Sequence, residues 1–315
     1  IVFASKGIYR SVCNSFYKEV CEIINANSDL VYTPTTILFP YMISKPTVIS
    51  MHDVQQFHYP EFFSKAELLS RKIHFGLSAD MVTHIQASSR FIKQDLLQHF
   101  TVLKPEQITV IPEGVDIDLF AKEKETKYLN DKYNLPKEFL FFPAQLWLHK
   151  NHITVLKAIK QIELTQNKKI PLVLTGAKES AAKQIFSFVE ENKMDYVHYL
   201  GVVPFEDILA LYKRAKFLIT GVLYESSSLP VLEAAASGTA VIASATPPNK
   251  ELNEILNINL FQPTNVDELV YLLLKIWDDN TLIKKQVSHN LEHIEHYSWN
   301  NVASRYIELF ERLVK

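Results

Sequence analysis

Short apolar runs rich in Val, Ile and Phe alternate along this chain with segments of helical period, stop once, and then start again. No other feature constrains the fold so strongly, because strands that alternate with helices close parallel sheets through crossover connections. In the first half the strand candidates are 1–5 (IVFAS), 29–33 (DLVYT), 47–51 (TVISM), 81–88 (MVTHIQAS) and 107–112 (QITVIP). The stretch 116–138, DIDLFAKEKETKYLNDKYNLPKE, is charged and weakly patterned and marks a domain boundary. Beyond it come FLFFPA, a helix from Asn151, PLVLTG, a helix through Phe186, YVHYLG, the helix FEDILALYKRA, KFLITG, a helix from Pro230, TAVIAS and a final helical pair. That second set reads as a second doubly wound unit.

A length of 315 residues suits two domains of ordinary size. Its 33 basic and 35 acidic residues are mixed without long runs, which argues against a broad nucleic-acid surface. The longest apolar stretches, such as LVYLLL at 269–274, fall far short of the roughly 18 residues that a spanning helix needs. Cys13 and Cys21 set neither a disulfide framework nor a metal spacing, so a reducing cytoplasm is the expected compartment. The opening IVFASKG lacks the basic stretch and cleavage site of a signal peptide and begins abruptly on an apparent strand, as if the natural start lay further upstream.

Residues 224–244, YESSSLPVLEAAASGTAVIAS, hold two glutamates eight positions apart in an otherwise apolar segment. Pro230 suits a first helical position and Gly238 a C-terminal cap, so a short helix starts near Leu229. Ser226, Ser227 and Ser228 form the loop before it. Free N–H groups at a helix start, beside three hydroxyls, make an anion site suited to phosphate. Glu225 lies just outside that site and Glu233 about one turn inside the helix, a spacing that addresses two parts of one ligand. Carboxylates accept paired hydrogen bonds from vicinal hydroxyls, which sugars present. Acids near a helix start are also favoured by its dipole alone, so the pair gains weight from its company.

That company is spread along the chain. Lys150, at a strand-to-helix turn with Asn151 as N-cap, reinforces an anion site at the C-terminal sheet edge, where doubly wound folds bind ligands. His52 ends a buried strand of the first domain, and Asp53 sets either its tautomer or the turn. Gly114, in VIPEGVD, is one of only 7 glycines and is read as a tight turn bringing backbone to the ligand side. Ser88 and Ser89 cap the helix RFIKQDLLQHF. His58 and His84 are read as structural. So are Glu206, Asp207, Lys213 and Arg214, which match the dipole of their helix. The closing segment repeats apolar residues at 299, 302, 303, 306, 307, 310, 313 and 314, a helical stripe.

Taken in order, HD at 52, SS at 88, IPEGVD at 111, HKN at 149, LTG at 174, the glutamate-pair segment and YSW near 297 resemble the retaining glycosyltransferases of family 4. The resemblance implies a GT-B fold: α/β, two doubly wound Rossmann-like domains facing a cleft. It places an acceptor-side domain at 1–118, a nucleotide-sugar domain at 137–297 and a C-terminal helix, 298–315, that crosses back to the first. It further implies transfer of a sugar from a UDP- or GDP-sugar to a carbohydrate or lipid-linked acceptor hydroxyl with retention of configuration, in bacterial-type polysaccharide, lipopolysaccharide or glycolipid synthesis. Glu233 would then bind the ribose, Glu225 the transferred sugar, and Lys150 with the Ser227, Ser228 and Leu229 backbone the diphosphate. Gly201 would border the base, Gly114 would sit on the donor side, and His52 would contact the sugar near the reacting carbon. The expected catalytic set is His52, Glu225 and Lys150, with no metal, no cofactor and no assigned nucleophile. Gln145 stands where the family commonly has an arginine, the three serines replace a loop of small residues, and the family's glycine-rich loop after the first strand is absent.

Two other readings stay open on the sequence: a nucleotide-sugar-binding protein of the same fold without turnover, and another GT-B enzyme such as an epimerase or phosphorylase. A dehydrogenase is disfavoured, since no G-x-G-x-x-G follows any strand. SKAELLSRKIHFGL from Ser64 mixes Lys65, Arg71 and Lys72 with apolar residues. It reads first as a solvated helix face and second as a peripheral contact with an anionic membrane at its inner face.

Overall fold

The computed structural model describes residues 17–122 and 125–315. The strand expected at 1–5 lies outside the described residues. The chain divides into two compact units, Ile1–Glu113 with Asn300–Lys315, and Gly114–Trp299.

In the first unit the described elements are α1 (Lys18–Asn27), β1 (Val31–Thr33), β2 (Thr47–Ser50), α2 (Lys65–Met81), β3 (His84–Ala87), α3 (Arg90–His99) and β4 (Ile108–Val110). The strands pair in parallel in the order β1-β2-β3-β4. Every residue of β2 and β3 is buried, so both faces of the sheet are covered, which is why these strands read as unbroken apolar runs. Helix α2 begins in a capping box, Ser64 with Glu67, and α3 begins at Ser89, whose hydroxyl accepts the Ile92 N–H. The C-terminal helix, Trp299–Val314, covers this sheet: Val302 and Leu309 are buried in one cluster with Val48 and Ile111. Tyr306 and Phe310 pack on the Tyr32 ring. The apolar stripe is narrower than its sequence pattern, since Ile307 and Val314 face solvent and Leu309, outside the pattern, is buried.

The second unit contains α4 (Ile117–Ala121), α5 (Tyr128–Tyr133), β5 (Leu140–Pro143), α6 (His152–Gln166), β6 (Leu172–Thr175), α7 (Ala182–Glu191), β7 (Val197–Tyr199), α8 (Phe205–Arg214), β8 (Phe217–Thr220), α9 (Leu229–Ala236), β9 (Ala240–Ser244), α10 (Pro247–Leu252), β10 (Asn259–Phe261), α11 (Val266–Ile276) and α12 (Asn280–His293). Its parallel sheet has the order β10-β9-β8-β5-β6-β7. The chain winds outward from β5 to β7, then returns to β8 on the other side of β5 and winds outward again. Winding therefore reverses between β5 and β8, and this is the crevice where doubly wound sheets take ligands. Side chains alternate between two buried clusters: Leu140, Phe142, Leu172, Leu174, Phe217 and Ile219 on one face, Phe139, Phe141, Val173 and Leu218 on the other.

Two features differ from the sequence reading. The charged stretch 116–138, read as the domain boundary, belongs to the second unit. Phe120 and Leu129 are buried in the core of the second unit, and Asp207 accepts bonds from Tyr128, Lys132 and Tyr133 of α5. The unit boundary accordingly falls at Glu113 and Gly114. Between β9 and the last helices the chain also forms α10 and β10, a helix of 6 residues and a strand of 3, both too short to carry a readable period.

Candidate active site

At the winding reversal, the loops leaving β5 and β8 are tied to each other. The Leu223 N–H donates to the His149 carbonyl at 2.8 Å, one residue from Lys150 and two from Glu225. The Asn151 amide donates to the Gly221 and Pro263 carbonyls, both at 2.8 Å. Asn151 does occupy the start of α6, but in the left-handed region at φ 55° and with its side chain stapling these loops instead of capping the helix. An added Cβ at Gly221 would lie 3.2 Å from the Asn151 carbonyl, a tight contact that marks the close approach of the two loops. Lys150 closes a short 3₁₀ turn, Leu148–Lys150, and is half-buried.

Glu225 is 9% exposed. Asn249 Nδ2 donates to its Oε1 at 2.7 Å and the Thr246 hydroxyl at 3.3 Å. Burial pushes its carboxyl up to about 7, and the nearby Lys150 charge is the largest influence in the opposite direction. The Ser228 hydroxyl also favours the ionised form, although it is fully buried and makes no hydrogen bond of regular geometry among the described residues. Lys150 also acts on His152, whose ring burial drives down to about 3; that ring is therefore neutral, stacked on Phe142 at 4.1 Å.

Helix α9 starts at Leu229 with Pro230 in its first turn and no side-chain cap. The Val231 and Leu232 N–H groups bond the Ser228 carbonyl. Among the described residues the Leu229 N–H makes no backbone hydrogen bond. Ser227 is half-buried in the loop ahead. Glu233 is half-buried, and the Tyr212 hydroxyl donates to its Oε2 at 2.6 Å. Burial raises its carboxyl, with Tyr212 working against the shift. The two glutamates thus differ in kind: Glu225 is enclosed by polar donors, while Glu233 is braced from one side on a helix.

Gly201 takes φ 74°, with open space where a Cβ would lie, and its carbonyl accepts the Gly176 N–H at 2.8 Å. Gly176, at φ 114°, packs on the Ala144–Gln145 peptide, and an added Cβ would sit 2.6 Å from the Ala144 carbonyl. The loops after β5, β6 and β7 are thereby locked together. Gln145 is exposed and accepts the Trp147 indole N–H at 2.7 Å. Gly114 has a different reason from the expected turn: a Cβ there would meet the Trp299 indole at 2.6 Å.

In the first unit, His52 follows β2, with Nδ1 3.8 Å from Glu113 Oε1. Its Nε2 lies 3.4 Å from the Pro34 carbonyl. Burial raises the Glu113 carboxyl, and His52 acts against that. Glu113 is therefore the carboxylate beside His52, and it was hidden in VIPEGVD behind the glycine. Asp53 instead accepts the Gln55 N–H and pairs with Arg71 at 3.2 Å, so it shapes the turn. That pairing, with Arg71 over the Phe63 and Phe75 rings, takes one cation out of the 64–77 segment. No helix among the described residues is long and apolar enough to cross a membrane. His84 bonds Thr109 at 2.8 Å, and burial drives it down to about 4, so it is structural.

Two α/β units with parallel sheets, and loops bound together at the winding reversal of the second sheet, define a doubly wound α/β protein, a class that takes ligands beyond the carboxyl ends of the strands. The chain belongs to the glycosyl transferases group 1 family, whose pattern it matches over residues 125–292. The fold is GT-B: Anabaena HepE, solved in complex with UDP and glucose, superposes with a TM-score of 0.78 at 19% identity, covering 94% of this chain and 81% of that one. Among relatives, the O-antigen chain mannosyltransferase B of Escherichia coli is 22% identical over 90% of this chain and 75% of its own length. The serotype-specific mannosyltransferase WbdA of Escherichia coli is 27% identical over 73% of this chain, which spans 29% of that protein. The protein is thus a glycosyltransferase.

Proposed function

We propose that this chain transfers a hexosyl group from a nucleotide-diphosphate sugar to an acceptor hydroxyl with retention of configuration, and that the donor is a mannosyl nucleotide used in surface-polysaccharide assembly. The observation that supports the donor side is the Leu223–His149 tie at the winding reversal, with the Lys150 charge and the Ser228 hydroxyl ahead of α9 both acting on the Glu225 carboxyl. The mannosyl choice rests on the names of the relatives, and HepE, solved with UDP and glucose, supports a nucleotide sugar.

In this reading the diphosphate lies on the Lys150 ammonium and the Leu229 N–H, and Glu233 accepts from the ribose hydroxyls with the oxygen that Tyr212 leaves open. Glu225 holds hydroxyls of the transferred sugar, whose anomeric carbon is the reacting centre, and Gly201 borders the base. The bond from that carbon to the diphosphate breaks, the acceptor oxygen bonds to the same carbon, and the acceptor proton passes to the departing diphosphate. Charge on the leaving group is met by Lys150 and the helix start without a metal. Gln145 supplies no second cation, so Lys150 carries more of that charge than an arginine-lysine pair would require of it.

The test is a panel of UDP- and GDP-sugars, GDP-mannose included, with nucleotide release and product configuration read out. GDP-mannose should support release with an α-linked product, and Glu225→Ala should reduce release at least a hundredfold. Tight nucleotide binding without release from any donor would replace this reading with a binding protein of the same fold.

A further inference from the structure

We infer that the first unit carries a divalent transition-metal site of zinc type, built from His58, Asp95 and His99 and separate from the proposed transfer chemistry. Asp95 and His99 are four residues apart on α3 and share one face of it, while His58 follows the 3₁₀ turn Gln55–Phe57. The three ligand atoms lie within 4.8 Å of one another. His58 Nε2 is 2.8 Å from both Asp95 oxygens, and His99 Nε2 is 3.3 Å from Asp95 Oδ1. A tetrahedral ion with bonds of about 2.0–2.2 Å sets its ligands roughly 3.3–3.6 Å apart. The His99–Asp95 edge already has that length, and the His58 edge reaches it by opening about 0.5 Å.

The second observation is His99 itself. Its Nε2 is buried and has no hydrogen-bond partner among the described residues, although Asp95 lies beside it. A buried ring nitrogen left without a partner is costly, and a metal ion at this point would take its lone pair. The rings are also held in place. His99 stacks on Phe57 with centroids 4.1 Å apart and planes 5° apart, and meets His58 edge-on at 5.6 Å and 89°. The Asp95 side chain is 2% exposed and that of His58 33%, so the protein encloses one side of the site and leaves the other open to a water as fourth ligand. Two imidazoles and a carboxylate are a donor set for zinc and its first-row neighbours. An ion pair between protonated His58 and Asp95 would use two of the three residues and leave His99 Nε2 unexplained. A bound ion would tie α3 to the segment that runs from His52 to His58, acting as a clamp.

Calorimetric titration of the whole chain with zinc chloride, after treatment with chelator, tests the site, alongside thermal unfolding with and without zinc. Wild type should take up zinc saturably and one-to-one, with a rise in Tm. His58→Gln, at the most exposed ligand, and His99→Gln should each weaken uptake at least tenfold. The double change His289→Gln with His293→Gln should leave uptake intact; those residues are the stacked histidine pair on α12, 4.1 Å apart. Failure of wild type to bind saturably, uptake unchanged in His58→Gln, or uptake lost only with the His289 and His293 pair would each overturn the site.

Discussion

A carboxyl at Glu225 gives up water and gains Asn249 at 2.7 Å as its shortest contact. Because burial pushes it up to about 7 from an ordinary 4.5, the folded chain holds this proton more tightly than the unfolded chain. The stability this confers is complete below about pH 4.5 and is lost as pH rises through about 7, a change of about 3 kcal/mol at most. Glu225→Gln keeps an acceptor for Asn249 and cannot ionise. In urea denaturation at pH 8 this variant should therefore be about 2 kcal/mol more stable than wild type, with little difference at pH 5. Equal stability at pH 8 would show that the enclosed carboxyl is not raised. At Gly114, the space a Cβ would need is filled by the Trp299 indole. Gly114→Ala should cost about 1–3 kcal/mol, and pairing it with Trp299→Leu should recover part of that loss in the same assay.

Among elements, α5 shows what a sequence pattern hides. In 116–138 the charges read as linker because a six-residue helix has room for only one buried apolar side chain, Leu129. Its remaining hold comes from Tyr128, Lys132 and Tyr133 on Asp207, a partner 74 to 79 positions away that no local pattern can indicate. Asp207, placed from the sequence as a dipole-matching acid, is buried with these three donors on it. Asp207→Ala should lower stability by about 2 kcal/mol and shift the urea midpoint. A midpoint within error of wild type would mean that α5 is held by Leu129 and its neighbours alone. The buried strands and amphipathic helices were legible because the strands are unbroken apolar runs and a period of 3.6 persists through the helices. The three-residue β10 was not, and neither was the shift of the C-terminal helix that buries Leu309.

For the whole molecule, the strand order was the part that turned scattered motifs into a site. HKN and the glutamate-pair segment are 74 residues apart in sequence, yet the return from β7 to β8 beside β5 ties their loops through Leu223 and His149. Sequence named Lys150 from its place at a strand-to-helix turn, and Glu225 and Glu233 from their spacing about a helix start. It missed Asn249, Thr246 and Tyr212, and the part that Asn151 and Gly176 play in tying loops together, because each acts through a neighbour distant in sequence. The central claim, that Lys150 and the start of α9 hold the donor diphosphate, is tested most directly by calorimetric titration of UDP and GDP into wild type and Lys150→Ala. Wild type should bind at least one of the two nucleotides, and Lys150→Ala, folded by circular dichroism, should bind it at least tenfold more weakly, as loss of a charge-assisted contact predicts. Equal affinity in the two proteins would contradict the account.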